Sequence, residues 1–185
     1  MNKRAISATI IEAAKEQFHK NGYLATEACD IVSAAKISMR EYEECFGSKE
    51  EVCTQVLKSY LRELKNQFKK YEENDNTRQR LSLFLDAYFD DAESIAVNGC
   101  PVYNLYYDLC NMDNELSELI VEILELQHQW LDEQFIIMLK TESAVDQGDR
   151  LMSATSGLIL LAKLTGDAQM FKNQIIQLRS WIRSM

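Results

Sequence analysis

The sequence predicts an all-α protein in which a three-helix head precedes a larger helical body. One proline and six glycines in 185 residues leave few positions where a helix must end. Apolar residues recur at intervals of three and four along most of the chain, which is the period of a helix that buries one face. The segment 26–51 carries the start and stop signals of two short helices side by side. Together these observations favour a small helix-turn-helix head on a helical body.

An amphipathic helix opens the chain. Ile10, Ala14 and Phe18 are spaced four residues apart, which puts them on one face of a helix. This pattern predicts a helix over residues 7–21. Gly22 is predicted to end it, because glycine readily adopts the backbone conformation that closes a helix.

Two short helices joined by a tight turn are predicted next. Thr26 is a candidate N-cap for the first, which would carry Ile31 and Ala34 toward the core. Ser38 is predicted to cap the second, and Glu41 three residues later completes a capping box. The inward side of this second helix is predicted to hold Tyr42, Cys45 and Phe46.

A long helix follows the two short ones. Gly47 is predicted to end the second short helix, and Ser48 with Glu51 supplies another capping box. The helix that begins there ends at a polar linker, residues 72–77. Thr77 is a candidate cap for the next helix.

The rest of the chain is predicted to form the helices of the body. They are expected over residues 78–97, 101–107, 113–140, 148–165 and 167–182. The segments 113–140 and 148–165 are apolar on more than one side, so we expect a second copy of the chain to cover part of them in a homodimer. The candidate dimer-interface residues are Leu126, Trp130, Leu158 and Leu161.

The charge is unevenly distributed. The chain has a formal net charge of -9, which argues against a general nucleic-acid coat protein. Residues 1–50 carry seven Lys or Arg and eight Asp or Glu, and residues 51–185 carry 13 and 21. The head is therefore close to neutral, and the body is acidic.

The cysteines and the hydropathy pattern predict a cytoplasmic protein. Five cysteines occur without metal-finger spacing, and no secretory leader or membrane-length apolar run is seen. Reduced, buried thiols are the expected state. A redox switch is the alternative, because Cys29, Cys45 and Cys53 lie in or beside the two short helices.

Catalytic patterns are not found, and the sequence predicts no enzyme activity, no cofactor and no metal. Only two histidines occur, and neither stands in a pattern typical of nucleophilic or zinc chemistry. Glu125 and His128 have the spacing of a helical metal-ligand pair, but a two-metal bundle needs two such pairs. His128 is therefore expected to be partly buried or at an interface.

The amino-terminal segment resembles that of the TetR family of bacterial transcriptional repressors. The matching positions, which align without gaps, are Ile10, Ala13, Ala14, Phe18, Gly22, Tyr23, Thr26, Asp30, Ile31, Ala34, Ala35, Ser38, Phe46, Gly47, Ser48, Lys49 and Glu50. The segment 99–105 also resembles a helix start beside the effector pocket in one branch of that family.

This resemblance implies a homodimer that binds double-stranded operator DNA and a small-molecule effector. Residues 1–47 would be the DNA-binding domain, and residues 48–185 the effector-binding and dimerisation domain. The residues expected to contact DNA are Thr26, Ser38, Met39, Arg40, Glu41, Tyr42 and Lys49, with Lys3 and Arg4 as further cations. The residues expected to line the effector pocket are Tyr103, Tyr106, Tyr107 and Trp130.

The second short helix departs from the family pattern in its charge. Glu43 stands where the family usually has a tyrosine that contacts phosphate, and Glu41 and Glu44 add two more carboxylates. Lys36 stands where the family has a turn glycine. Carboxylates repel polyphosphate, so the alternative is an interaction protein of the same fold that has lost operator binding.

Overall fold

The protein is helical throughout the residues that the computed structural model describes, which are 2–112, 114–141 and 144–185, without the side chain of Val145. Ten helices and no strand occur in these ranges. The helices are α1 Lys3–Asn21, α2 Ala28–Ala35, α3 Met39–Cys45, α4 Lys49–Glu72, α5 Thr77–Asp90, α6 Ala92–Asn98, α7 Pro101–Leu109, α8 Glu115–Leu139, α9 Ala144–Thr165 and α10 Ala168–Ser184. None of them, over the same ranges, combines the length and apolar character that a membrane span needs.

The chain forms two compact units. The first contains Met1–Glu63 and Pro101–Ile123, and the second contains Leu64–Cys100 and Leu124–Met185. The first half of α4, α7 and the start of α8 therefore pack with the three amino-terminal helices. The sequence places a boundary between residues 47 and 48, between a DNA-binding domain and an effector-binding domain, and this functional division stays a prediction.

The core of the first unit forms on the predicted stripe of α1. Ile10 and Phe18 are buried, and Phe18 meets Tyr23 edge to face with ring centroids 5.5 Å apart. On α2, Ile31 and Ala35 are buried, whereas Ala34 is exposed. The prediction that Ala34 points inward is wrong, because positions four apart share the buried face of this short helix.

Two helix starts differ from the predictions. The first helix begins at Lys3 rather than near Ser7, and the Asn2 side chain accepts a hydrogen bond from Arg4 N. The N-cap of α2 is Glu27 rather than Thr26. The reason is that Thr26 Oγ1 donates to Gly22 O at 2.7 Å, which holds the hydroxyl against the end of α1.

The starts of α4 and α5 are capped by side chains, as predicted, but some of the capping residues and hydrogen-bond partners differ from those predicted. Ser48 Oγ accepts a hydrogen bond from Glu51 N at 3.2 Å, as expected for a cap. The Glu51 carboxylate accepts from Gly47 N at 2.8 Å, one residue before the cap. Asn76, not Thr77, caps α5, since its side chain accepts from Arg78 N at 2.9 Å.

The single helix predicted over residues 78–97 is broken into α5 and α6. Asp91 lies between them with φ -93° and ψ 10°, outside the helical region. Aspartate favours such breaks because its side chain competes with the helical backbone for hydrogen bonds.

An aromatic cluster lies in the core of the second unit. Trp130 stacks on Phe68 with ring centroids 4.4 Å apart and planes 7° from parallel, and Tyr71 and Phe84 pack against the same indole. The Trp130 indole N–H donates to Glu72 Oε1 at 2.9 Å. One face of α8 is buried along the helix. Its buried members are Leu116, Ile120, Ile123, Gln127, Trp130 and Gln134.

Candidate functional site

The two short helices form a helix-turn-helix with a left-handed residue in its turn. Lys36 adopts φ 54° and ψ 45° at the C-cap of α2, and its N–H donates to Ser33 O at 3.2 Å. A non-glycine residue in this conformation costs roughly 1 kcal/mol. The turn therefore keeps the conformation that a glycine would supply, although the sequence has lysine there.

The start of α3 is fixed by the predicted capping box. Ser38 Oγ accepts from Glu41 N at 3.3 Å, and the Glu41 carboxylate accepts from Ser38 N at 2.8 Å. Hydrogen bonding to the Ser38 backbone lowers the pKa of the Glu41 carboxyl. Glu41 is thus an ionised cap whose Oε2 accepts from both Ser38 N and Ser38 Oγ.

The outward face of α3 is exposed and mixed in charge. Met39, Arg40, Glu43 and Glu44 are all exposed. Arg40 Nε donates to Glu44 Oε1 at 2.8 Å, one helical turn away. An exposed pair of this kind is weak, so Arg40 can exchange Glu44 for another anion at little cost.

Two of the residues expected to contact DNA are buried. Thr26 is 0% exposed and Tyr42 is 3% exposed. Thr26 is held by Gly22 O, and Tyr42 packs beside Phe46 with ring centroids 6.3 Å apart. The prediction of DNA contact is wrong for both, because the inward period of these helices decides where their side chains lie.

Lys49 makes internal contacts at the start of α4. Its Nζ donates to Tyr23 O at 3.1 Å and to Thr26 O at 2.8 Å, and it lies 4.5 Å from the centroid of the Tyr23 ring. The ammonium group therefore ties α4 to the turn between α1 and α2. A phosphate contact by Lys49 stays a prediction, and it would have to share this ammonium group.

Asp108 of α7 contacts the same turn between α1 and α2. Its Oδ2 accepts from Tyr23 N at 2.7 Å and from Leu24 N at 3.4 Å. Asn104 Nδ2, one turn earlier, donates to His19 O at 3.3 Å. These contacts join positions about 85 residues apart in sequence, and no local pattern signals them.

The four predicted effector-pocket residues have different surroundings. Tyr103, Tyr106 and Tyr107 belong to α7 in the first unit, and Trp130 belongs to α8 in the second. Tyr103 is buried, Tyr106 is half-buried, and Tyr107 is 60% exposed. The role of Tyr107 in lining an effector pocket stays a prediction.

A groove of about 260 Å³ lies on the second unit beside Trp130. Phe68, Leu126 and Trp130 give it an apolar wall, and Lys69 and Glu133 lie at its polar side. The groove is open rather than enclosed. Its lining combines aromatic and aliphatic side chains with a few charged groups.

An apolar stripe on α9 is left uncovered by this chain. Leu160, Leu161 and Leu164 are exposed, and Leu158 is half-buried. A Cβ built at Gly157 would meet none of the described atoms within 4 Å. Of the predicted dimer residues, Leu161 is at this surface, whereas Trp130 is 4% exposed and part of the core. The prediction is therefore wrong for Trp130.

Comparisons with known proteins agree on one fold. No family model matches the chain. An uncharacterized HTH-type transcriptional regulator of the lacX 3' region in Lactococcus lactis is 21% identical over 184 residues, which cover 97% of this chain and 94% of that protein.

Solved structures of TetR-family regulators superpose over nearly the whole chain. A regulator from Agrobacterium tumefaciens has a TM-score of 0.86 at 16% identity, covering 97% of this chain and 98% of its own. A regulator from Legionella pneumophila has a TM-score of 0.81 at 21% identity, covering 95% and 94%. The chain therefore has the all-α fold of the TetR-family transcriptional regulators.

Proposed function

We propose that this protein is a ligand-responsive transcriptional regulator that represses its target genes by binding operator DNA as a homodimer. The observation that carries the proposal is the exposed start of α3 in a helix-turn-helix. A recognition helix reads the major groove with its amino-terminal residues. The similarity to an HTH-type transcriptional regulator over 97% of this chain supports the same function.

The DNA contacts would come from Ser38, Met39 and Arg40, together with the start of α1. Lys3 and Arg4 are exposed, and the Cys45 thiol donates to Lys3 O at 3.9 Å. This contact places the first residues of α1 beside the end of α3. Lys3 and Arg4 would then supply phosphate contacts next to the recognition helix.

The acidic residues of α3 would weaken this binding. Glu43 and Glu44 are both exposed, and Glu44 pairs with Arg40. Since affinity for any DNA comes largely from cations that displace counterions, the head would bind nonspecific sequences poorly. Specific contacts would then make up a large share of operator affinity.

Substitutions on α3 test this proposal. Glu43→Tyr removes a carboxylate and adds a phenol, so we expect tighter binding to operator and nonspecific DNA alike. Arg40→Ala is expected to cost about 1–3 kcal/mol on the operator and to relax its sequence preference. Fluorescence anisotropy with the protein's own upstream DNA at several salt concentrations measures both effects.

The matched control is Glu73→Tyr, the same exchange at an exposed position beyond α4. It should leave DNA binding unchanged. If the native protein does not bind its upstream DNA even at low salt, while Glu43→Tyr gains only nonspecific affinity, the head acts as a protein-binding module and the repressor proposal fails.

The effector would bind on the body and change the population of DNA-competent dimers. The groove beside Trp130 is a candidate site for an apolar or cationic compound, because Phe68, Leu126 and Trp130 line it together with Glu72 and Glu133. A ligand that binds one conformation more tightly shifts the equilibrium toward it. In a dimer, the conformation selected would set the spacing of the two recognition helices.

Asp108 is proposed to set the geometry of the turn before α2. Asp108→Ala leaves Tyr23 N–H without its acceptor, so we expect the free energy of unfolding to fall by about 1–3 kcal/mol. Amide exchange at Tyr23, followed by NMR, should become faster. Asp108→Asn keeps an oxygen acceptor and should retain most of the stability, and Asp75→Ala at an exposed position should change neither quantity. Unchanged exchange at Tyr23 in Asp108→Ala would contradict the role.

A further inference from the structure

His128, Asp132 and Asp149 form a cluster on the second unit. His128 and Asp132 are one turn apart on α8, and Asp149 is on α9. His128 Nε2 lies 2.6 Å from Asp149 Oδ1 and 3.7 Å from Asp132 Oδ1. One donor atom from each residue lies within 4.8 Å of the other two.

The Asp132 carboxylate is the least satisfied member of the cluster. Its Oδ1 is buried and, among the described residues, has no hydrogen-bond partner. Burial raises the pKa of the Asp132 carboxyl, His128 opposes this effect, and Asp149 adds to it. A buried acceptor without a donor is costly, and it calls for a compensating group.

Gly148 of α9 has no side chain, and the Asp132 carboxylate occupies the space where a Cβ would be. A Cβ built at Gly148 would collide with Asp132 Oδ1 and would lie 3.2 Å from Asp132 Cα. Any side chain at this position would push the carboxylate aside. The close approach of α9 to α8 at Gly148 therefore holds Asp132 beside Asp149.

We propose that His128, Asp132 and Asp149 bind one first-row divalent cation, of the kind of Mn²⁺ or Zn²⁺. One imidazole nitrogen and two carboxylate oxygens are a ligand set that such ions accept. Ligand atoms about 2.1 Å from a metal lie roughly 3 Å from one another, and the distances of 2.6 and 3.7 Å fall on either side of this value. The cation would bind Asp132 Oδ1, which accepts no hydrogen bond from the described residues, and would link α8 to α9.

This site differs from the pair that the sequence suggests. Glu125 is exposed and is not part of the cluster. The folded chain instead places Asp132 of α8 and Asp149 of α9 beside His128. A cation here revises the sequence-based expectation that the protein has no metal site.

The test is a titration of the full-length protein with Mn²⁺, followed by the electron paramagnetic resonance signal of the free ion. Mn²⁺ prefers oxygen and imidazole ligands, so the five cysteines should not compete. We expect one bound ion per chain. His128→Gln and Asp149→Asn should each weaken its binding at least tenfold.

Two further variants sharpen the result. Asp146→Asn makes the same change of charge at an exposed position of α9 and should bind Mn²⁺ like the native protein. Gly148→Ala displaces Asp132 while keeping all three ligands, and it should also bind more weakly. Mn²⁺ should raise the melting temperature of native and Asp146→Asn protein, but not that of Asp149→Asn. The Asp149→Asn variant is expected to fold, because the Asp149 side chain is 58% exposed.

Either of two results would overturn the proposal. Native protein that binds no Mn²⁺ at millimolar concentration would show that the cluster is not a metal site. Binding that is unchanged in both His128→Gln and Asp149→Asn would place the ion elsewhere.

Discussion

Replacing Leu161 and Leu164 together by Glu is expected to convert the proposed homodimer to a monomer. Both leucines are exposed on the uncovered stripe of α9, 41% and 78% respectively. Burying one leucine side chain contributes about 1.5–3 kcal/mol. A two-fold interface contains each residue twice, so burying the exposed fractions of the four leucines contributes about 4–7 kcal/mol, roughly a 10³- to 10⁵-fold change in the dissociation constant.

Sedimentation velocity over a micromolar concentration range measures this effect. Lys163→Glu is the matched control, because it introduces the same carboxylate at an exposed position of the same helix. It should remain dimeric. A native protein that sediments as a monomer at these concentrations would remove the proposed homodimer, and with it the paired reading of two operator half-sites.

Lys49→Ala is expected to lower the free energy of unfolding by about 2 kcal/mol. The substitution removes a charged donor from Tyr23 O and Thr26 O and a cation from the face of the Tyr23 ring. Hydrogen bonds to charged groups contribute about 1.5–3 kcal/mol, and partial exposure of Lys49 reduces this amount. Urea unfolding followed by circular dichroism gives the midpoint.

DNA binding separates the two roles of Lys49. If it acts through the turn, Lys49→Ala should unfold at lower urea, and operator affinity should fall with no change in its salt dependence. If it contacts phosphate, the salt slope should fall by about one at unchanged stability. Lys70→Ala, at an exposed position on the same helix, should change neither stability nor the salt slope.

Local sequence signals predicted the secondary structure well and its ends less well. The capping box of Ser38 and Glu41 is present in the structure, because both partners lie within one turn of each other. The residue type of Thr26 predicts an N-cap. Its hydroxyl instead donates to Gly22 O, since the end of α1 offers a carbonyl that the sequence does not reveal.

Helical period predicts which of the candidate DNA-contact residues on α3 are exposed. Arg40 and Met39 are exposed as the outward positions of α3, whereas Tyr42 is on the inward side and buried. The aromatic residues could not be sorted in this way. Trp130 and Tyr107 both stand in helices rich in apolar residues, yet one is 4% exposed and the other 60%. Burial depends on which neighbouring helix covers a face, and that is a property of the packed chain.

The sequence by itself determined that this protein is all-α, with a helix-turn-helix followed by a helical body, because helix caps and apolar period act over a few residues. Tertiary structure alone decided which polar groups meet. The contact of Asp108 with Tyr23 N, the binding of Lys49 to two carbonyls, and the approach of Asp149 to His128 join residues 85, 26 and 21 positions apart. Hydrogen bonds and ion pairs act over a few ångströms in space, so only the packing of the helices brings these partners within reach.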